Sequence, residues 1–162
     1  MENHSIEVRD SLGLPAESRP WTQLPGVKLR GMDMTERARD VVDCAFAAAR
    51  RRRPMGTPLA TIIKDLWVNP SQSVKRRPWS MNGPPTVVTS SAVYSFHSDC
   101  TLSGDAHLRA LGFPSGTSNV GEFSEAQLRD LAGECYSVPS ITSLTYAVYL
   151  NPRASWWQKS TS

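Results

Sequence analysis

The sequence is poor in cysteine and has no long apolar run, and each shortage closes off a class of protein. Three cysteines, Cys44, Cys100 and Cys135, are widely spaced and odd in number. They outline no disulfide framework, so a reducing interior, nuclear or cytoplasmic, is expected. The most apolar run, Ile141 to Leu150, is interrupted by Thr142, Ser143 and Thr145. It is too short and too polar to span a bilayer, so no membrane partner is expected. The first residues lack the apolar stretch of a signal peptide. Internal repeats are absent. No Gly-rich strand-turn-helix pattern is present to hold a nucleotide phosphate.

What is there suits one domain with a modest core. Hydrophobic residues make up 40% and charged residues 20% of the 162 positions, a balance that folds rather than stays solvated. The net charge of +3 is mild, but the basic residues are bunched. Arg50, Arg51, Arg52 and Arg53 run together, and Lys75, Arg76 and Arg77 form a second knot. The arginine run has two readings, a solvated helix end or a set of phosphate contacts.

The fold class expected is α+β, mostly short helices with a small β element. Residues 1–32 contain "SLGLPAESRPWTQLPG" and no sustained period, which predicts a poorly ordered arm. A helix is predicted from about Thr35 to Arg52. There Ala38, Val41, Val42, Ala45, Phe46 and Ala49 form one apolar stripe, and Asp33 with Glu36 resembles a capping box. The arginine run falls at the end of this helix, where positive charge suits the dipole. "PLATIIKDLW" predicts a second short helix. Residues 69–85 read as a loop, and "PTVVTSSAVYSFH" as two short strands or one bent strand. Three helices follow, from Ser103, from Ser124 with Gln127 as its capping-box partner, and from Ser137. Gly133 suits a left-handed helix end, and Ile141, Leu144 and Val148 supply a stripe on the last helix.

Between the last two helices lies "LAGECYSVPSI", Leu131 to Ile141. Glu134, Cys135 and Tyr136 sit there beside a helix N-terminus, whose free N–H groups favour an anionic or zwitterionic ligand. Spacing alone is equally that of an ordinary corner between helices. The residues add a resemblance. "LGFPSG" at 111–116, then "SEAQLRDLAGECYSVPSI" at 124–141, resembles the C-terminal end of the DNA cytosine-5 methyltransferases. In that family a Gly-Phe-Pro turn is followed by a Leu-x-Gly-x-Ser-x-Ser-Val-Pro-type segment that opens the final helix. The matching residues here are Gly112, Phe113 and Pro114, then Leu131, Gly133, Cys135, Ser137, Val138 and Pro139. "PPTVVTSS" is similar to the Thr-rich segment upstream. The likeness covers about Pro84 to Pro152.

The resemblance implies the C-terminal part of a Rossmann-like fold that binds S-adenosylmethionine (S-adenosyl-L-methionine) and grips DNA. Residues 33–122 would be a target-recognition-like region, and residues 123–162 the helices that close the cofactor site. Glu134, Cys135 and Tyr136 would face the cofactor. Arg50, Arg51, Arg52, Arg53, Arg76, Arg77, Thr86, Thr89 and Ser90 would face DNA. Glu134 departs from the Asn or Arg more usual in the family.

The family's chemistry is missing from these residues. Its nucleophile lies in a Pro-Cys dipeptide, whereas Cys44, Cys100 and Cys135 follow Asp, Asp and Glu. Its Glu-Asn-Val segment is absent as well. Attack on a cytosine ring needs a positioned thiolate and an acid. The chain is therefore expected to be a fragment or degenerate relative, non-catalytic alone, with a missing catalytic half as one partner. The alternative is a non-catalytic helical protein-interaction module. A metal is not expected at His97, Asp99, Cys100 and His107, whose spacing fits no common zinc site. Cys44 reads as a packed thiol. Trp156 and Trp157 could stack on bases or pack on protein.

Overall fold

A computed structural model describes residues 3–32, 35–85, 88, 91–114, 122–135 and 138–150. Its helices are α1 (Asn3–Ser11), α2 (Glu36–Arg51), α3 (Leu59–Ile63), α4 (Gly104–Ala110), α5 (Glu125–Glu134) and α6 (Val138–Leu150). Its strands are β1 (Trp67–Val68), β2 (Trp79–Ser80), β3 (Tyr94–Ser95) and β4 (Cys100–Thr101). They form one antiparallel sheet in the order β2-β1-β3-β4. The class is α+β. The five helices expected from the sequence are all present, and α1 is added to them.

Helix α2 organises the core. Its predicted stripe, Ala38, Val41, Val42, Ala45, Phe46 and Ala49, is buried. Thr35 is the N-cap in place of the Asp33 pairing expected, its hydroxyl accepting from the Ala38 N–H at 3.3 Å. Asp33 lies outside the described residues. Phe46 meets Trp21 at 5.2 Å between ring centroids, Trp21 meets Phe96 at 5.0 Å, and Tyr94 stands edge-on to Phe96 at 5.2 Å. Burying an aromatic ring of this size contributes about 1.5–3 kcal/mol.

The first thirty-odd residues depart most from expectation. Where composition predicts a loose arm, Leu14, Trp21 and Leu29 enter the same core as Val41 and Phe46. The cause is polar as much as apolar. The Arg9 guanidinium is ion-paired with Asp40 and donates to the carbonyls of Pro15 (2.5 Å) and Ser18 (2.6 Å). Asp43, fully buried, accepts from the backbone N–H groups of Trp21 and Thr22, both at 2.9 Å, and from the Thr22 hydroxyl at 2.7 Å. Burial pushes the Asp43 carboxyl up, against the pull of those hydrogen bonds and of Arg19. Two aspartates on an apolar helix thus clamp the segment that precedes it.

The β element also differs from its forecast. Over residues 86–96 only Tyr94–Ser95 is strand among the described residues. Its partners are β1, at the end of "PLATIIKDLW", and β4. β2 comes from the stretch that reads as loop. Two-residue strands are too short to show an alternating pattern, so pairing alone reveals them.

Helices α4 and α5 pack on each other around Leu108, Leu128 and Ala132, with Leu111 and Phe113 beside them. Ser103 caps α4 through the Ala106 N–H, and Ser124 and Gln127 form the expected capping box on α5. Gly104 lies against Leu128 and Glu125, where a Cβ would overlap the Leu128 side chain. Its N–H donates to the Glu125 carboxylate at 2.6 Å.

Candidate nucleic-acid interface

Arg50 and Arg51 end α2, Arg52 caps it and Arg53 lies just beyond, and the four line two clefts. Arg50 and Arg53 line a cleft of about 380 Å³ with Met55, Gly56 and Ile62. Arg51 and Arg52 line another, of about 230 Å³. The second cleft also takes Arg77, from the other basic knot, and Trp79 from β2. Val8, Leu12 and Ala48 complete its apolar wall.

Two local features bring the distant arginines together. A single 3-10 turn, Val74–Arg76, is closed by Arg77 in the left-handed region, φ 48°, with its N–H on the Val74 carbonyl at 2.9 Å. Pro78 follows and leads into β2, where Trp79 pairs with Val68. On the facing side the Arg51 guanidinium donates to the Ser11 carbonyl at 2.6 Å, which ties the end of α2 to the end of α1. Arg76 donates instead to Gln72 and lines neither cleft. Thr86, Thr89 and Ser90 lie outside the described residues.

The electrostatics of the smaller cleft come from side chains. The C-terminal end of a helix carries about half a negative charge, which by itself repels phosphate. Arg51, Arg52 and Arg77 outweigh it, and no carboxylate lines the cleft among the described residues. A third cleft of about 350 Å³ makes the contrast. Ser5, Arg19, Glu36, Arg37 and Asp40 line it, so cations and anions there largely answer one another. Arg19 lies 3.2 Å from Glu36 and 3.6 Å from Asp40.

The corner after α5 was the other candidate. The helix runs through Gly133 to Glu134, so Gly133 is helical and not the left-handed terminator expected. Cys135 ends the helix with extended backbone, φ −83° and ψ 148°, its N–H on the carbonyls of Leu131 and Ala132. Because the chain leaves the helix extended, no left-handed residue is needed. Glu134 is exposed and Cys135 half-buried. Tyr136 lies outside the described residues, as do Ser137, Trp156 and Trp157. Neither Glu134 nor Cys135 lines any of the three clefts.

Three other titratable groups are tied into the fold. Cys44 is buried on α2, and burial together with Asp40 pushes its thiol up to about 12, too high for a thiolate nucleophile. Asp99 accepts from the N–H groups of Lys28 (2.7 Å) and Leu29 (2.9 Å) and from the Tyr94 hydroxyl (2.6 Å). Burial opposes, but these bonds and Arg30 outweigh it and hold the Asp99 carboxyl below the ordinary range. His97 is exposed on the β3–β4 turn, whereas His107 is buried on α4, with Glu125 and Arg129 of α5 the charges that act on it.

Trp79 is the residue that sequence reasoning missed. The signal was present in "KRRPWS", an indole two positions beyond a basic knot. Only the pairing of β2 with β1 shows that this indole joins the arginines of α2. No protein-family model matches the chain, and neither the curated proteins nor the solved structures yield a match.

Proposed function

We propose that the chain contacts DNA through the convergent arginines of α2 and Arg77, as a fragment or degenerate relative of a DNA cytosine-5 methyltransferase that is not catalytic alone. The observation that carries this reading is the meeting of two sequence-distant basic clusters in one cleft lined by no carboxylate among the described residues. Cations gathered without a competing carboxylate favour phosphate neutralisation. A solvated helix end would need only the first cluster.

The methyltransferase part of the proposal rests on the Gly-Phe-Pro and Ser-Val-Pro segments and on the state of α6. Residues 139–147 of that helix are all exposed, including Ile141, Leu144 at 62% and Tyr146 at 63%. A helix with this much uncovered apolar surface suits one that lies against another domain. In the proposal that domain is the catalytic half of a Rossmann-like enzyme. Glu134, Cys135 and Tyr136 would then supply one wall of an S-adenosylmethionine site. The chain alone would bind the methyl donor weakly and transfer no methyl group. The same exposed face also supports the second reading, a non-catalytic module that binds protein through α6.

Fluorescence anisotropy with a labelled duplex at low salt tests the first claim. Replacing Arg51, Arg52 and Arg77 with Ala is expected to weaken binding and to reduce the slope of log affinity against log salt by about 3, near one unit per contact. Unchanged affinity and slope would remove DNA from the reading. The two readings of α6 separate by adding a methyltransferase catalytic domain: restored methyl transfer supports the enzyme, and no association supports the independent module.

A further inference from the structure

The 230 Å³ cleft has a feature that duplex phosphate binding does not use, an aromatic wall. We infer that it holds one unstacked nucleotide, its base against Trp79 and its phosphate on Arg51, Arg52 and Arg77, so that this surface prefers single-stranded to duplex nucleic acid. The inference rests on the DNA-contacting reading above and specifies the form of the ligand.

Charge and shape point the same way. Three guanidiniums line the cleft, and its remaining walls are mostly apolar, from Val8, Leu12, Ala48 and Trp79. An inorganic anion would use only the first set and leave the apolar wall wet. A nucleotide uses both, since its phosphate takes the guanidiniums and its base has an apolar face. Arg51 is already tethered to the Ser11 carbonyl, and Arg77 is held in a left-handed conformation between the 3-10 turn and Pro78. Side chains placed in advance lose less freedom on binding. A non-glycine residue at φ 48° is a strained placement, of the kind held where position matters.

The indole is suited to stacking. Trp79 lies on β2, at the edge of the sheet, half-buried and packed against the core. Its inner part is anchored, and another part forms the cleft wall. A base in a duplex is stacked on both sides and has no free face to offer an indole that lines a cleft. An unpaired base has one. The volume sets the scale, because about 230 Å³ falls below the ~300–1,000 Å³ of sites that enclose a drug-sized ligand. One base fits with its phosphate at the mouth. Arg50 and Arg53, in the neighbouring cleft, are placed for the phosphate of a flanking nucleotide.

Anisotropy with labelled oligo-dT and a duplex of equal length tests this. The wild-type chain is expected to bind the single strand about ten-fold or more tighter than the duplex. Trp79→Leu is expected to lower single-strand affinity about ten-fold and so to abolish that preference. Trp79→Phe, which keeps an aromatic face, is expected to retain most of it. Thymidine monophosphate should compete better than inorganic phosphate, and this measurement needs no variant should Trp79→Leu fold poorly. Equal wild-type affinity for the two forms, or equal competition by the two phosphates, overturns the inference and leaves the DNA reading standing. No binding to either form overturns both.

Discussion

The indole Nε1–H of Trp21 donates to the phenolic oxygen of Tyr94 at 3.0 Å, inside the core. Tyr94 passes the bond on, its hydroxyl donating to Asp99 at 2.6 Å. Asp99 in turn receives the Lys28 and Leu29 N–H groups, so a short polar chain fastens the segment before α2 to the β3–β4 hairpin. Desolvation, and then the bond to Asp99, push the Tyr94 hydroxyl well up, which keeps it protonated and donating. Tyr94→Phe leaves the buried indole N–H without its acceptor. It should cost about 1–3 kcal/mol, the desolvation of an unmade bond, read as a lower urea midpoint. A cycle with Trp21→Phe should show coupling between the two positions. Additive losses would mean the bond contributes nothing.

Arg9 and Asp40 offer a sharper test. Both side chains are almost wholly buried, 2% and 6% exposed. Removing one partner of such a pair costs about 3–5 kcal/mol, because the other charge stays buried. Arg9→Met should therefore destabilise strongly in urea, while Arg9→Met with Asp40→Leu should recover much of the loss. If the double variant were no better than the single, the role of Arg9 would be packing.

Gly104→Ala should loosen the α4–α5 pair, because the new methyl group would meet Leu128. Overpacking of this kind costs about 1–3 kcal/mol. Hydrogen exchange is expected to rise along α4 and α5 and to stay unchanged in α2. Uniform change across both would show the two clusters to be one cooperative unit.

His107 gives that pair a pH dependence. Its Nδ1 lies 2.9 Å from the Ser103 carbonyl, which can only accept, so Nδ1 carries the proton and Nε2 is bare. Nε2 is buried and has no hydrogen-bond partner among the described residues. Burial, and then Arg129, lower the His107 pKa below 6.5, against the Ser103 carbonyl and Glu125. The folded form thus binds its proton less readily than the unfolded. The stabilisation is complete above pH 6.5 and is lost as pH falls through the folded value. Urea midpoints should drop as pH falls below 6.5, and His107→Gln should flatten that part of the profile. An NMR titration with His107 at or above 6.5 would contradict this.

Much of the helical structure was legible. The α2 stripe, the Ser103 cap and the Ser124–Gln127 box rest on neighbours within one or two turns, and local spacing reveals them. Gly133 misled because a glycine near a helix end serves equally as its last turn. α1 was hidden because "NHSIEVRDS" has almost no apolar residues. Its place depends on Arg9 reaching Asp40 across 31 positions.

The candidate site divides in the same way. The sequence alone determined that arginines would crowd the end of α2 and that a second knot would lie in a loop, since charge and loop composition are local. It also determined that the apolar face of α2 would be buried. Tertiary structure decided which arginines meet. Arg77 and Trp79 reach Arg51 and Arg52 because α1 packs on the 3-10 turn and β2 pairs with β1, contacts that close long loops. Tertiary structure alone also settled that Arg9, Asp40 and Asp43 go inside, because a buried charge is tolerable only beside a partner that the chain must fold to deliver.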